Sequence, residues 1–246
     1  MYFDEYGSRE NHTVVLLHGA GVVDTFARQY EALSAFHLVV PHLYGSGQET
    51  TEPYDPDKAI DAVLEIIHAL GKEKVSLVGH SMGGQLSVAL VTCHEALFDR
   101  AAFLSPWVCS AEKTVRLYGK LSRILAALMR VSGLVRVQTK YWGFTPEQTE
   151  FMAGYSRNIT KEQSAAWFTK RIFLDDLPGY SDVSIPMLAI CGAKEIGEMK
   201  NSIEELGRRN ARCKTVILPG ARHDFPLRNP EALNPILLDF LHNPVA

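Results

Sequence analysis

The chain has 246 residues, 46% of them hydrophobic, and a formal net charge of −3. That length and apolar content suit one α/β domain carrying an insertion better than two independent domains. A weakly acidic balance without a dense Lys/Arg tract excludes broad electrostatic attraction for nucleic acid, so no nucleic-acid partner and no stable membrane association are expected, and a small neutral substrate fits better. Met1–Glu5 lacks the basic-then-apolar form of a secretory leader, and no apolar run approaches the roughly 18 residues of a membrane span, so a cytoplasmic protein is expected. Cys93, Cys109, Cys191 and Cys213 are scattered without the close pairs of a zinc site, which points to buried reduced thiols.

Short β-branched runs alternate with amphipathic stretches, the pattern of a mostly parallel central sheet with helices on both faces. An edge strand is expected in Tyr2–Tyr6, followed by strands at Thr13–Leu17 and Leu38–Pro41. Asp55-Pro56 then reads as an N-cap with proline at the first helical position, and Ile60, Val63, Leu64 and Ile67 share one face of the crossover helix. Strands follow at Val75–Gly79 and Ala101–Ser105. From residue 108 to 179 strand signals stop, and helix starts appear at Ser110, at Thr145-Pro146-Glu147-Gln148 and at Thr160-Lys161-Glu162-Gln163. This segment reads as an inserted helical cap, leaving residues 1–107 and 180–246 as the core, with the last strands at Met187–Cys191 and Thr215–Leu218. Pro235 falls inside the final apolar pattern, so that helix is expected to restart at Asn234.

Gly79-His80-Ser81-Met82-Gly83 follows the run Val75–Val78 and leads directly into a helical stretch from Gly84. G-x-S-x-G alone is a weak pattern, but strand, sharp turn and helix are the context of a nucleophile elbow, with flanking glycines where a Cβ would collide with its neighbours. A serine hydroxyl needs a base, and His223 is the best placed of nine histidines, in the loop after the last strand. The carboxyl ends of parallel strands meet on one rim, so this loop can reach the elbow. His18 reads as a packing residue, and the direction of His80 is open. An acid must orient the base. Glu195, after strand Met187–Cys191, reaches the same rim, with Glu198 as runner-up, whereas the strand end Ser105-Pro106-Trp107 carries no acid. Backbone N–H groups of Met82 and Ala20, the latter in the Gly-rich turn His18-Gly19-Ala20-Gly21, are the expected oxyanion donors.

Taken in order, His18–Gly21, Pro41–Gly47, Gly79–Gly84, Gly192–Glu195 and Gly220–Pro226 resemble the α/β-hydrolase fold superfamily over essentially the whole chain except the cap. The resemblance implies a Ser81, Glu195, His223 triad, backbone oxyanion donors, a variable cap, and no metal or organic cofactor. Glu195 stands where the family usually has Asp. Serine at 81 excludes the branches that need an aspartate there, the dehalogenases and epoxide hydrolases. The expected reaction is hydrolysis of a small or medium carboxylic ester through an acyl-enzyme. Thioesterase, carbon–carbon hydrolase and perhydrolase chemistry share the same triad, and a non-catalytic ligand-binding protein of this fold is the rival from another class. In the cap, Tyr118, Leu121, Leu125 and Leu128 form an apolar face beside a basic stripe of Lys113, Arg116, Lys120 and Arg123, which reads as a solvated outer face in preference to a docking surface. Trp107, Tyr141, Trp142, Phe144, Trp167 and Phe168 divide between cap core and an acyl pocket. Oligomeric state is not legible.

Overall fold

Alternate residues of the apolar runs point to opposite faces of one seven-stranded sheet in the computed structural model, which describes residues 1–242. The strands are β1 (Phe3–Tyr6), β2 (Thr13–Leu17), β3 (His37–Pro41), β4 (Val75–His80), β5 (Phe98–Leu104), β6 (Met187–Gly192) and β7 (Cys213–Leu218), in the order β1-β3-β2-β4-β5-β6-β7. Only β1 runs antiparallel, pairing Phe3 with Pro41 along β3. Every residue of β2, β4 and β6 is buried, as strands covered on both faces require. Val14, Leu16, Val78 and Ile190 face one core layer with Phe26, Leu233 and Leu237. Val15, Leu17, Leu77 and Ala189 face the other with Val63, Leu86 and Leu206.

The helices are α1 (Pro56–Ala69), α2 (Met82–His94), α3 (Glu112–Met129), α4 (Ser132–Trp142), α5 (Pro146–Ser156), α6 (Lys161–Thr169), α7 (Gly197–Arg209), α8 (Phe225–Arg228) and α9 (Pro230–His242). Asp55 caps α1, its carboxylate accepting from the Lys58 amide at 3.4 Å, and both Thr-x-x-Gln capping boxes form at the starts of α5 and α6. Register sets the rim: Leu17 lies opposite Gly79, Gly79 opposite Phe103, and Leu104 opposite Ile190, so the carboxyl ends of β2, β4, β5 and β6 come level. Helices α3–α6 rest on the loops of that edge. The Tyr155 hydroxyl donates to Gly21 O at 3.0 Å, and Trp142 Nε1–H donates to Asp224 at 3.1 Å.

Several local expectations are corrected. Helix α3 is not capped by Ser110; Ala111 occupies the N-cap position without a side-chain bond, and the carboxylate of Glu198 accepts from Ala111 N–H and Thr114 Oγ1 instead. Helix α9 does not restart at Asn234. It runs from Pro230 through Pro235, because Leu233, Leu237 and Leu241 all bury on the sheet and offset the one lost backbone bond. Of the four free thiols Cys191 and Cys213 are buried, but Cys93 is exposed at the end of α2 and Cys109 is half-buried. The inward face of α3 consists of the small residues Val115, Gly119, Ser122 and Ala126 packed on α6, which leaves Leu121, Leu125 and Leu128 exposed.

Two glycines show how tightly β4 and α2 meet. A Cβ at Gly79 would lie 2.2 Å from Gly83 O, and one at Gly83 would lie 2.1 Å from Leu17 O, both against backbone that no rotamer change can clear. Gly154 on α5, by contrast, has nothing within 4 Å of the added atom. Gly83→Ala is therefore expected to cost about 3 kcal/mol in urea denaturation, while Gly154→Ala adds about 0.5–1 kcal/mol. Equal effects of the two substitutions would contradict this packing.

Candidate active site

Ser81 stands between β4 and α2 with φ 55° and ψ −113°, a left-handed φ that is uncommon for a residue bearing a Cβ. Its N–H donates to Leu104 O at 2.8 Å and its carbonyl accepts from Gln85 N at 3.0 Å, so sheet and helix hold both ends of the turn. The side chain is thereby turned away from the core toward the rim. There Nε2 of His223 lies 3.0 Å from Ser81 Oγ, and Nδ1 of the same ring lies 2.7 Å from Glu195 Oε2. With Nδ1–H donating to the carboxylate, Nε2 presents its lone pair to the serine hydroxyl. The structure thus brings Ser81, His223 and Glu195 into one hydrogen-bonded chain although they are 142 and 28 residues apart.

Glu195 is held from three sides. Its Oε1 accepts from Ser105 Oγ at 2.6 Å and from Gly192 N–H at 2.7 Å, and its side chain is only 3% exposed. Burial pushes its carboxyl up, but the His223, Ser105 and Gly192 donors outweigh burial and hold it below its ordinary value. Ser105 was missed as a site residue; the strand end read as lacking an acid supplies instead the hydroxyl that orients one. Its φ of 46° was a further hidden feature, the backbone turning at the end of β5 to aim that hydroxyl. Glu198 is not brought to His223. Its Oε2 accepts from Trp107 Nε1–H at 3.0 Å, and its Oε1 holds the start of α3.

The Gly-rich turn after β2 is tied down by His18. Its Nδ1–H donates to Gly19 O at 2.7 Å, its Nε2 accepts from Leu43 N–H at 2.9 Å, and its carbonyl accepts from Gly83 N–H at 3.2 Å. His18 is fully buried and packs as expected. Gly19 N–H is engaged by Thr25 Oγ1 at 3.3 Å, Gly83 N–H by His18, and Val22 N–H by Gly19 O at 3.3 Å. The Ser81 and Gly83 amides on either side of Met82 are thus committed, as are those of Gly19 and Val22 in the turn that carries Ala20, and Ala20 lines the cavity at Ser81. His80, whose direction the sequence left open, points inward: its Nε2–H donates to His223 O at 2.9 Å, steadying the backbone of the histidine loop.

That cavity has a volume of about 590 Å³ and extends from Ser81 into the helices of residues 112–169. Leu125, Leu128, Met129, Val135, Met152 and Phe168 make much of its wall. Of the aromatic residues weighed from sequence, Trp142 and Phe168 line it, whereas Trp107 packs on Tyr118, Trp167 lies against Gly21 and Gly45, and Tyr141 is half exposed. Among the described residues lining the cavity there is no Lys, Arg or Glu. No group of three or more His, Cys, Asp and Glu side chains among the described residues could hold a metal ion, and no helix there is long and apolar enough to cross a membrane.

Burial pushes the imidazoles of His18 and His80 down to about 3, in His80 with help from the neighbouring His223. Both stay neutral in the native state, whereas the unfolded chain takes up protons at them below about pH 6.5, so their contribution to stability is lost as pH falls from about 6.5 toward 3. Asp24 works the other way: burial raises its carboxyl to about 6, and the stability it contributes is lost as pH rises through that value. Two imidazoles outweigh one carboxyl. The free energy of unfolding, measured in urea, is expected to fall between pH 6.5 and about pH 5; a rise on acidification would contradict the buried neutral state of both rings.

The chain is similar to several known proteins. Over 255 residues the chain is 25% identical to (E)-2-((N-methylformamido)methylene)succinate hydrolase of Acinetobacter baylyi, covering 95% of this chain and 90% of that one. The enol-lactonase of Burkholderia xenovorans LB400 has a similar structure, with a TM-score of 0.78, 20% identity and coverage of 98% and 96% of the two chains. A thermophilic esterase from Thermogutta terrifontis superposes with a TM-score of 0.74 at 21% identity, covering 98% and 92%. At these identities the solved structures speak for the fold alone. The profile of the alpha/beta hydrolase family matches residues 14–236, and with the elbow, the sheet order and the rim already described, the chain belongs to that family.

Proposed function

We propose that the protein is a serine hydrolase that cleaves carboxylic esters with an apolar acyl group through a covalent acyl-enzyme on Ser81. The observation that carries this reading is the continuous hydrogen-bonded line from Ser81 Oγ through the His223 ring to Glu195. In the proposed reaction His223 Nε2 takes the hydroxyl proton as Ser81 Oγ attacks the ester carbonyl. The resulting oxyanion lies between the Ala20 and Met82 amides, the second at the N-terminus of α2. The imidazolium is stabilised by ionised Glu195 and protonates the leaving alcohol. Water then repeats the sequence with His223 as base, releasing the acid.

The cavity supports the choice of an apolar acyl group. Aliphatic and aromatic walls gain from burying methylenes, and the absence of Lys and Arg among its described lining residues leaves a dicarboxylate without a counter-charge. Each methylene buried contributes about 0.8 kcal/mol, so kcat/KM for p-nitrophenyl esters is expected to rise about fourfold per added CH₂ from acetate until the cavity is filled. A flat profile, or faster turnover of a succinate half-ester than of a neutral ester of the same length, would contradict this substrate class.

A fluorophosphonate probe is expected to label the wild-type protein and leave Ser81→Ala unlabelled and without esterase activity. Absence of both labelling and turnover in folded wild type would favour a non-catalytic ligand-binding protein. Glu195→Gln should lower kcat by about 10³–10⁴ through loss of the charged partner of His223. Glu198→Gln should leave kcat near wild type and lower the melting temperature, since that carboxylate ties Trp107 and the start of α3. A larger kcat loss in Glu198→Gln would reverse the assignment.

A further inference from the structure

Three parallel stripes run along α3. Val115, Gly119, Ser122 and Ala126 are buried. Lys113, Arg116, Lys120 and Arg123 form an exposed cationic stripe on one flank. Opposite the buried stripe Leu117, Leu121, Ile124 and Leu128 repeat at intervals of four, three and four residues, one side of a helix of 3.6 residues per turn, and each is 48–64% exposed. The apolar surface continues onto α4 through Leu134 and Val137. Most of the exposed large apolar side chains among the described residues fall on these two helices and the turn joining them, and a contiguous apolar surface of that kind marks an interaction site more often than scattered single residues do.

Two further observations identify what the surface meets. Residues 112–142 carry seven Lys and Arg against the single acid Glu112, in a chain whose net charge is −3, so this segment is locally basic. Arg116 is paired with Glu112 at 2.9 Å and Arg136 with Glu150 at 2.8 Å, while Lys113, Lys120, Arg123 and Lys140 extend into solvent beside the apolar stripe. Leu125, Leu128, Leu134 and Val137 belong both to this exposed surface and to the wall of the cavity at Ser81, so the apolar face is the outer rim of the site.

We infer that the α3–α4 face docks reversibly on an anionic lipid surface, laying Leu117, Leu121, Ile124 and Leu128 into the headgroup boundary while the flanking cations meet lipid phosphates, and so sets the mouth of the Ser81 cavity against the lipid. An amphipathic helix with an apolar stripe bordered by Lys and Arg binds such an interface through the two contributions together. A second copy of the chain is the weaker occupant, because the same α3–α4 segment on a partner carries one acid, Glu112, against seven cations, and like charges would meet. Docking stands independently of the hydrolytic reading; delivery of lipophilic esters from the surface into the cavity rests on it.

The test is co-sedimentation of Ser81→Ala protein, which reads binding without turnover, with vesicles of phosphatidylcholine alone and of phosphatidylcholine mixed with phosphatidylglycerol. Binding is expected to the mixed vesicles, weakened by salt. Each basic side chain near an anionic surface is worth about a factor of five, so Lys120→Gln with Arg123→Gln should reduce partitioning about twenty-fivefold. Leu121→Ser with Ile124→Ser should abolish it. None of these four residues lines the cavity, and in the Ser81 background each pair should hydrolyse soluble p-nitrophenyl acetate at the wild-type rate. No binding to the mixed vesicles, equal binding to both vesicle types, or binding indifferent to both pairs of substitutions would overturn the inference. So would a dimer in sedimentation equilibrium that Leu121→Ser with Ile124→Ser dissolves, since that assigns the face to self-association. If the hydrolytic reading alone is wrong, vesicle binding persists while the soluble ester is not turned over.

Discussion

The backbone of Ser81 is held at φ 55° and ψ −113° by bonds from the sheet on one side and the helix on the other, and the site is arranged around that fixed turn. A non-glycine residue in such a conformation costs on the order of 1–3 kcal/mol, which the surrounding structure must supply. Buried strands β2 and β4, the close meeting of Gly79 with Gly83, and the Leu104 carbonyl that receives the Ser81 amide supply it. The result is a hydroxyl that the core presents at the rim without relying on any flexible loop to place it.

The partners of that hydroxyl are fixed by a second set of bonds that no single segment of chain contains. His223 is steadied through its own carbonyl by His80, the residue preceding the serine, so elbow and histidine loop are coupled directly. Glu195 is steadied by Ser105 from the neighbouring strand end, and the turn carrying Ala20 by His18 and Leu43. Against this rigid base the helices of residues 112–169 contribute mostly apolar wall, together with a few polar ties such as Trp142 to Asp224. On the proposed reading the sheet edge sets the chemistry and the helices set acyl selectivity, a division by which members of one fold family can share a site and differ in substrate.

Most of the sheet was legible because parallel strands buried on both faces must be continuously apolar, and those runs stand out between amphipathic stretches. That Ser81, His223 and Glu195 would meet was legible because strand ends on one rim converge whatever their separation in sequence. Ser105 was not, since its role depends on which strand neighbours β6 and on a left-handed φ that no local pattern announces in a serine. Glu198 read as a spare acid, but it lies in the first turn of α7 and faces Trp107 and Thr114. Helix α3 is the sharpest case. Its stripes were visible, yet the larger residues do not mark the packed side, because Gly119, Ser122 and Ala126 let α6 approach so closely that Ser164 Oγ reaches Ser122 O at 2.7 Å.

The central claim is that Ser81 carries the acyl group during turnover, and the direct measurement is peptide mass after an acid quench. Protein mixed briefly with p-nitrophenyl butyrate, quenched and digested, should show the mass of one butyryl group on the peptide containing Ser81, and hydroxylamine should remove it. A burst of p-nitrophenol with the acyl group on another residue, or steady turnover with no acylated protein at any quench time and in any slow-deacylating variant, would contradict the account.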